Sequence, residues 1–232
     1  QVADRIAASA ARAIVPSVPL PIAVVAAAVA VTVVGVSFVF STDARTRRAL
    51  KKVRVTPISG LQPGQRARVR GRIVAAGDLL SAPLSERVCV YYLATAEQMR
   101  SSGNTNTWRE IAREEYSRDF VVEDGSGAVR VRMNVPRVAI VRDVNTRSGT
   151  FDDANHREEA FLKRHGLQST SELLGLNKTI RYVEGALEPG EEVTVLGLVR
   201  EELVDGRRTL VLDAPDDGPL TLSDDPRAVQ AP

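Results

Sequence analysis

Leu61-Gln62-Pro63-Gly64-Gln65-Arg66-Ala67-Arg68-Val69-Arg70-Gly71-Arg72-Ile73 is the stretch from which the rest of the chain can be read. Pro63-Gly64 is a turn signal. From Ala67 onward, small or apolar residues alternate with arginine, the period of two expected of a strand with one face in water. Gly71, inside that strand, marks a bulge or a close backbone approach. The signature returns as Leu187-x-Pro189-Gly190-Glu191-x-x-x-Val195-x-Gly197-x-Val199. Positions 61 to 187 and 73 to 199 are the same step of 126. Each copy is followed by an apolar strand that ends in an aspartate: Phe120–Glu123 reaches Asp124, and Leu210–Leu212 reaches Asp213.

That order resembles the opening strands of an OB-like barrel. It predicts a mainly β fold, either one barrel with a returning strand pair or two related β-modules, with one or two short helices. Working outward, Arg87–Ala94 and Thr107–Tyr116 read as a hairpin whose tip is Arg100–Asn106. Phe120–Glu123 and Ala128–Met133 flank Asp124-Gly125-Ser126-Gly127, a two-strand turn. Arg137–Val141 follows as a strand, and Thr146–Asn155 reads as a polar loop. A helix is expected over Arg157–Arg164, capped by Asp152, Asp153 or Asn155 and stopped by Gly166. Ser169-x-x-Glu172 has capping-box spacing for a second short helix that ends near Gly175. Strands resume at Thr179–Val183, Glu192–Val199 and Thr209–Leu212, the last pair turning at Asp205-Gly206. The end, Asp216–Pro232, is polar with little to pack.

Ahead of these strands lies Pro21–Phe40, an uncharged apolar run; Ala13 through Thr42 contains no Asp, Glu, Lys or Arg. At about 1.5 Å per residue, roughly 20 such residues span a hydrocarbon core of about 30 Å. The run lacks the polar stripe of a buried soluble helix. It also exceeds the apolar stretch of a cleaved signal peptide, so a transmembrane helix is the expectation. Arg5 and Arg12 precede it, whereas Arg45, Arg47, Arg48, Lys51, Lys52 and Arg54 follow, with no acidic residue between Asp43 and Asp78. That asymmetry places the distal part on the cytoplasmic side of a single-pass membrane protein. A sharper reading is a patch for anionic headgroups. Acidic residues dominate from Glu184 to Asp225, so the net charge of +2 hides a basic proximal and an acidic distal half. The predicted organisation is a leader over 1–20, the span over 21–40 and a basic juxtamembrane linker over 41–60. A β-domain over 61–223 and a polar tail over 224–232 follow. The opening Gln1, in place of Met, is what a fragment or processed form would show.

Reactive chemistry is scarce. The single cysteine, Cys89, sits in Val88-Cys89-Val90-Tyr91-Tyr92, which reads as a buried strand. Structural zinc takes about four N or S ligands, and the sequence offers that cysteine and two histidines, His156 and His165. The acidic pairs Asp152-Asp153, Glu114-Glu115, Glu191-Glu192 and Asp216-Asp217 read as solvation. Gly125-Ser126-Gly127 leads into a strand, so it presents no helix N-terminus to a phosphate. No catalytic, cofactor-binding or metal-binding residue is assigned. Aromatics make up 4% of the chain, and Tyr91, Tyr92, Trp108, Tyr116 and Phe120 read as core. Stacking of nucleic-acid bases is therefore disfavoured.

Several stretches together resemble the GIDE domain, also called the BAM or beside-a-membrane domain. They are Gly71-Arg72-Ile73, Leu80-Ser81-Ala82-Pro83-Leu84-Ser85, Cys89-Val90-Tyr91-Tyr92, Trp108, and Phe120–Asp124 with Gly125 and Gly127. Arg181-Tyr182-x-Glu184-x-x-Leu187-x-Pro189-Gly190-Glu191 with Gly197 matches the later half, so the resemblance runs from about Leu61 to Ser223. In the mitochondrial members this domain lies between two membrane helices, and a RING finger supplies ubiquitin- or SUMO-ligase activity. The domain itself is regarded as the partner-recognition part. The chain shows no RING cysteines, so ligase activity does not carry over to these residues. Leu220-Thr221-Leu222-Ser223 resembles the segment before the second helix, which implies that the chain stops short of it. Those relatives face the intermembrane space, whereas the basic flank here argues for the cytoplasm, and the charge reading is kept. The resemblance implies a membrane-anchored, non-catalytic domain that recruits a protein partner at the bilayer surface. One alternative is the recognition portion of a RING-type E3 ubiquitin-ligase-like protein. Another is a membrane-organising protein that self-associates into a homo-oligomer. Pro83 and Leu84, on a connection that reads as exposed, are the candidate partner contacts.

Overall fold

The fold is taken from a computed structural model that describes residues 43–103, 105–134, 136–149, 153–169, 178–204 and 207–230. The apolar run Pro21–Phe40, the helix expected after Ser169 and the Asp205-Gly206 turn lie outside the described residues. Among the described residues, no helix is long and apolar enough to cross a membrane. The strands are β1 (Arg66–Ala75), β2 (Leu80–Ser81), β3 (Val88–Cys89), β4 (Tyr91–Ser102), β5 (Thr105–Ser117), β6 (Phe120–Glu123) and β7 (Ala128–Val131). Then come β8 (Arg137–Ala139), β9 (Val144–Ser148), β10 (Ile180–Leu187), β11 (Glu192–Val204), β12 (Arg207–Asp213) and β13 (Thr221–Ser223). Residues 43–51 are helical (α1); α2 is His156–Arg164 and α3 is Pro226–Val229.

The two copies of the Pro-Gly signature pair with each other. β1 and β11 run antiparallel with Val69 opposite Val195, Ala67 opposite Gly197 and Gly71 opposite Val193. Equivalent residues are thus exchanged by a local two-fold through the Val69–Val195 pair. The hydrogen bonds obey the same exchange. Gly64 N donates to Val199 O (2.8 Å) and Gly190 N to Ile73 O (2.7 Å). Val199 N donates to Gln65 O (2.8 Å) and Ile73 N to Glu191 O (2.9 Å). A Cβ on Gly71 would fall inside 3.0 Å of the Glu123 carbonyl, and one on Gly197 would lie 2.6 Å from the Asp213 carbonyl. Each strand glycine therefore admits the end of the next barrel strand, β6 or β12, against the backbone.

The rest of the barrel follows from that seam. β1 pairs with β6, β6 with β7, β7 in parallel with β12, and β12 with β11, which returns to β1. Five strands close in the Greek-key order of an OB barrel, so the two signatures belong to one barrel, not to two modules. Its core holds Val69, Phe120, Val122, Val131, Val195 and Leu212, each 0% exposed. Burial of such side chains stabilises by about 1.5–3 kcal/mol apiece.

Two insertions build a second layer. β2–β5 separates β1 from β6, and β8, β9, α2 and β10 separate β7 from β11. Their strands β4, β5, β9 and β10 form a four-stranded sheet, β5-β4-β10-β9, while β8 pairs with β13 on the barrel sheet. Phe161 and Leu162 of α2 pack with Tyr92, Ala94, Ile180 and Tyr182 of this sheet. Tyr91 and Leu187, opposite each other on β4 and β10, reach into the barrel core and join the layers. Asn155 caps α2: its side chain accepts from Arg157 N and Glu158 N, while Glu158 accepts from Asn155 N (2.9 Å).

Four expectations change. The polar loop expected from Thr146 begins with strand β9, an edge strand whose Thr146 and Ser148 hydroxyls find partners on α2 and β10. Thr146 donates to Glu158 (2.5 Å) and Ser148 Oγ to Tyr182 Oη (3.5 Å). The hairpin tip shrinks, because β4 runs to Ser102 and β5 starts at Thr105. The linker over 41–60 carries α1, whose Leu50 is 0% exposed against Leu196 and Ala228. The polar tail packs as well: Leu220, Leu222 and Ala228 are buried, and Asp225 caps α3 by accepting from Arg227 N (2.9 Å).

Candidate functional site

Pro83 and Leu84 sit in the loop between β2 and β3, strands short enough that the loop needs other support. Its ends close through Ala82 N donating to Arg87 O (2.9 Å) and Glu86 N to Ala82 O (2.8 Å). Support from below comes from Glu184 of β10, a carboxylate that is 0% exposed. Its Oε2 accepts from Leu84 N (2.7 Å) and its Oε1 from Ser85 Oγ (2.5 Å). A buried charge is tolerated only when hydrogen-bonded or paired, and Arg87 completes the set 3.9 Å away. Arg87 also bonds Asp143 and lies 2.8 Å from Glu188. The hydrogen bond to Asp143, ahead of the attraction of Asp143, Glu188 and Glu184, raises the Arg87 pKa above its ordinary value despite burial.

This strap holds Glu86 at φ +62°, the left-handed region that costs a non-glycine residue roughly 1–2 kcal/mol. Leu84 is not exposed, contrary to the sequence expectation. Its N–H is committed to Glu184, and its side chain joins Ala82, Cys89 and Tyr92 in the second core. Pro83 is half-buried at the surface.

The loop forms one wall of a cleft of about 870 Å³. The opposite wall is α2, with His156, Arg157 and Arg164, and the floor is Tyr92, Glu114 and Tyr116 of β4 and β5. Glu86 and Arg157 bridge the mouth at 2.6 Å. Glu114 gathers the floor: it accepts from Tyr92 Oη (3.2 Å) and Arg164 Nε (3.0 Å), with His165 Nε2 at 3.1 Å. Burial, then the Glu114 charge, pushes the Tyr92 phenol above its ordinary value. His165 also packs on Phe161, ring centroids 5.0 Å apart.

The Glu114-Glu115 pair is therefore not mere solvation. Both line the cleft, but successive strand residues face opposite sides: the Glu114 carboxylate bonds Tyr92 and Arg164, and the Glu115 carboxylate accepts from Tyr91 Oη (2.8 Å). Trp108 is not core either; the Arg181 guanidinium stands 4.7 Å from its ring centroid, and that of Arg147 5.4 Å. Tyr116 is 56% exposed at the cleft.

Cys89 is 0% exposed. Burial first, and then the Glu184 charge, pushes its thiol up to about 11. A thiol so placed stays protonated and inert near neutrality. Among the described residues, no group of three or more His, Cys, Asp or Glu is arranged to hold a metal. The cleft offers fixed donors, acceptors and an aromatic face, which suit binding.

The family model for GIDE, described as E3 ubiquitin ligase, matches residues 91–228. The chain belongs to the GIDE family. The GIDE match takes in the cleft floor, α2, β10 and four of the five barrel strands, and it begins after β1 and the Pro83 loop. No curated protein and no solved structure gives a significant match. From the sequence, Pro83 is a candidate contact on an exposed connection, with no cleft implied; the structure puts it in the cleft wall and adds what fixes it. Arg87, Arg157 and Arg164 carry no sequence signal that sets them apart from other surface arginines. Glu184 does carry one: it is the lone acid inside the otherwise apolar Tyr182–Leu187.

Proposed function

We propose that this GIDE domain is a membrane-tethered, non-catalytic recognition module that takes a protein partner in the cleft between the Pro83 loop and α2. The observation that carries this reading is the strap on Glu184. A surface loop held in a strained conformation by a buried carboxylate is pre-organised, and pre-organisation lowers the entropic cost of binding. The uncharged run Pro21–Phe40 and the basic residues after it support a bilayer anchor with the barrel on the cytoplasmic side. β5 is the edge of its sheet and carries Arg109, Glu110, Arg113, Glu114 and Glu115. Charges on an edge strand discourage pairing with a second copy, which favours a recruiter over a self-associating organiser.

The test is site-specific photo-cross-linking of the full chain in its native membrane, with the cross-linker at Pro83, at Arg157 and, as a control outside the cleft, at Gln62. The expected result is one discrete protein adduct from the first two positions and none from the third. Equal labelling from all three sites, or none from the cleft, would sink the assignment. An adduct of twice the chain mass would establish self-association in its place. The family description favours a second reading, in which the recruited protein is a substrate of an E3 ligase. Ubiquitin on the cross-linked partner, lost in Arg157→Glu, would support that version.

A further inference from the structure

α1 turns two faces to different surroundings. Thr46 and Leu50 point to the barrel and are 0% exposed. Arg45, Arg48 and Lys52, spaced three and four apart, lie along one exposed face. Arg66 of β1 joins them around a groove of about 530 Å³ whose floor includes Val53 and the buried Leu196. Among the described residues, the one carboxylate paired with these four cations is Asp217, 3.6 Å from Arg66, and both of those side chains are at least half exposed. Such an exposed pair contributes little, so the groove stays strongly positive over an apolar floor.

The helix is not free to swing this face away. Arg68, 0% exposed, donates to Leu50 O and Val53 O (3.2 Å each) at the end of α1 and to Ala228 O (2.7 Å) of α3. Arg45 follows Phe40, the last residue of the uncharged run, by five positions. Even an extended chain keeps five residues within about 18 Å.

We infer that this groove seats the headgroup of an anionic phospholipid, with the arginines and Lys52 on the phosphate and carboxylate and the glycerol end on Val53 and Leu196. The inference rests on the anchor reading above. An apolar run that ends five positions before the first arginine of a fixed basic groove would deliver that groove to the headgroup layer. Bound there, the lipid sets the face of the barrel that meets the bilayer.

The experiment uses the full chain, isotopically labelled, in neutral detergent micelles. Short-chain phosphatidylserine, short-chain phosphatidylcholine and inorganic phosphate are titrated separately while backbone amide shifts are followed. Phosphatidylserine should give saturable shifts at Ala49, Lys52, Val53 and Arg66. Arg48→Gln with Lys52→Gln should weaken it about twenty-five-fold, at about fivefold per charge near a membrane surface. Unchanged amides in β6 and β7 of the double variant would certify its fold. Equal binding of phosphatidylcholine, phosphate binding as tight as the lipid's, or an unaltered affinity in the double variant would overturn the inference. Solubility of the full chain without detergent reports on the anchor alone, so the two readings fail separately.

Discussion

Gly71 and Gly197 show how one residue type decides a barrel. Each stands where the carbonyl of a neighbouring strand's last residue presses on its Cα, Glu123 in one case and Asp213 in the other. In both, the close atom is backbone, which cannot rotate away. Gly64 is a contrasting case: a Cβ there meets nothing within 4 Å, but φ is +81°. Gly71→Ala and Gly197→Ala should each destabilise by about 2–3 kcal/mol through overpacking. Gly64→Ala should lose about 1 kcal/mol through the left-handed backbone alone. Urea unfolding followed by circular dichroism compares the three. Equal losses at Gly64 and Gly71 would mean that the close approach of β6 is not what excludes a side chain. The local two-fold makes a further demand. Because their environments are related by exchange of β1 and β11, the Gly71 and Gly197 variants should resemble each other more than either resembles Gly64→Ala.

Among the elements, α2 is the one on which the cleft depends most directly, since Arg157 and Arg164 stand on it. It is a nine-residue helix, too short to persist by propensity alone, so its cap and its packing through Phe161 and Leu162 must hold it. Asn155→Ala should cost about 1 kcal/mol and Asn155→Gly only a few tenths. Amide exchange in α2 should quicken in Asn155→Ala while β6 and β7 stay protected; uniform loss of protection would show that α2 is not a separable unit. The cap was visible in the sequence as one of three candidates, and the barrel strands were visible because their faces differ. Ala67-Arg68-Val69-Arg70 alternates in the chain as it does in the fold, and the 126-residue echo marked both seam strands without showing that they pair with each other. What stayed hidden was polar on both faces or depended on distant groups. β9 satisfies its threonine and serine on α2 and β10, so its hydropathy looks like a loop. Leu84 reads as exposed until Glu184, 100 residues away, claims its N–H. Trp108 reads as core until two arginines from the inserted strands β9 and β10 are brought over its ring.

At the scale of the molecule, the two ends of the described chain meet on the barrel wall. Leu50 of α1 and Ala228 of α3 pack together on Leu196, and beneath them Arg68 donates to carbonyls of both helical ends and to Thr194 Oγ1 (2.9 Å). Burial, with a smaller effect from the neighbouring Arg70 charge, lowers the Arg68 pKa, yet a guanidinium remains charged in proteins. Its planar fork spreads donors over several acceptors at once, which a lysine ammonium does not reproduce. Arg68→Met would fill much of the same volume and leave the carbonyls of Leu50, Val53 and Ala228 without that donor. A loss of about 3 kcal/mol is expected, the lower range for removing one partner of a buried charged network. Its location matters more than its size. Hydrogen exchange should rise together in residues 43–51 and in Pro226–Val229 while β6, β7 and β12 keep their protection, and Arg68→Lys should recover only part of the difference. If α1 loosened and α3 did not, the packing on Leu196 rather than the guanidinium would be the shared clamp. If the whole barrel opened, Arg68 would belong to the folding core. A coupled, local response would mean that the barrel's pose on residues 43–51 is fixed from within the fold. The cleft at Pro83 would then be presented at a set orientation instead of swinging on a linker.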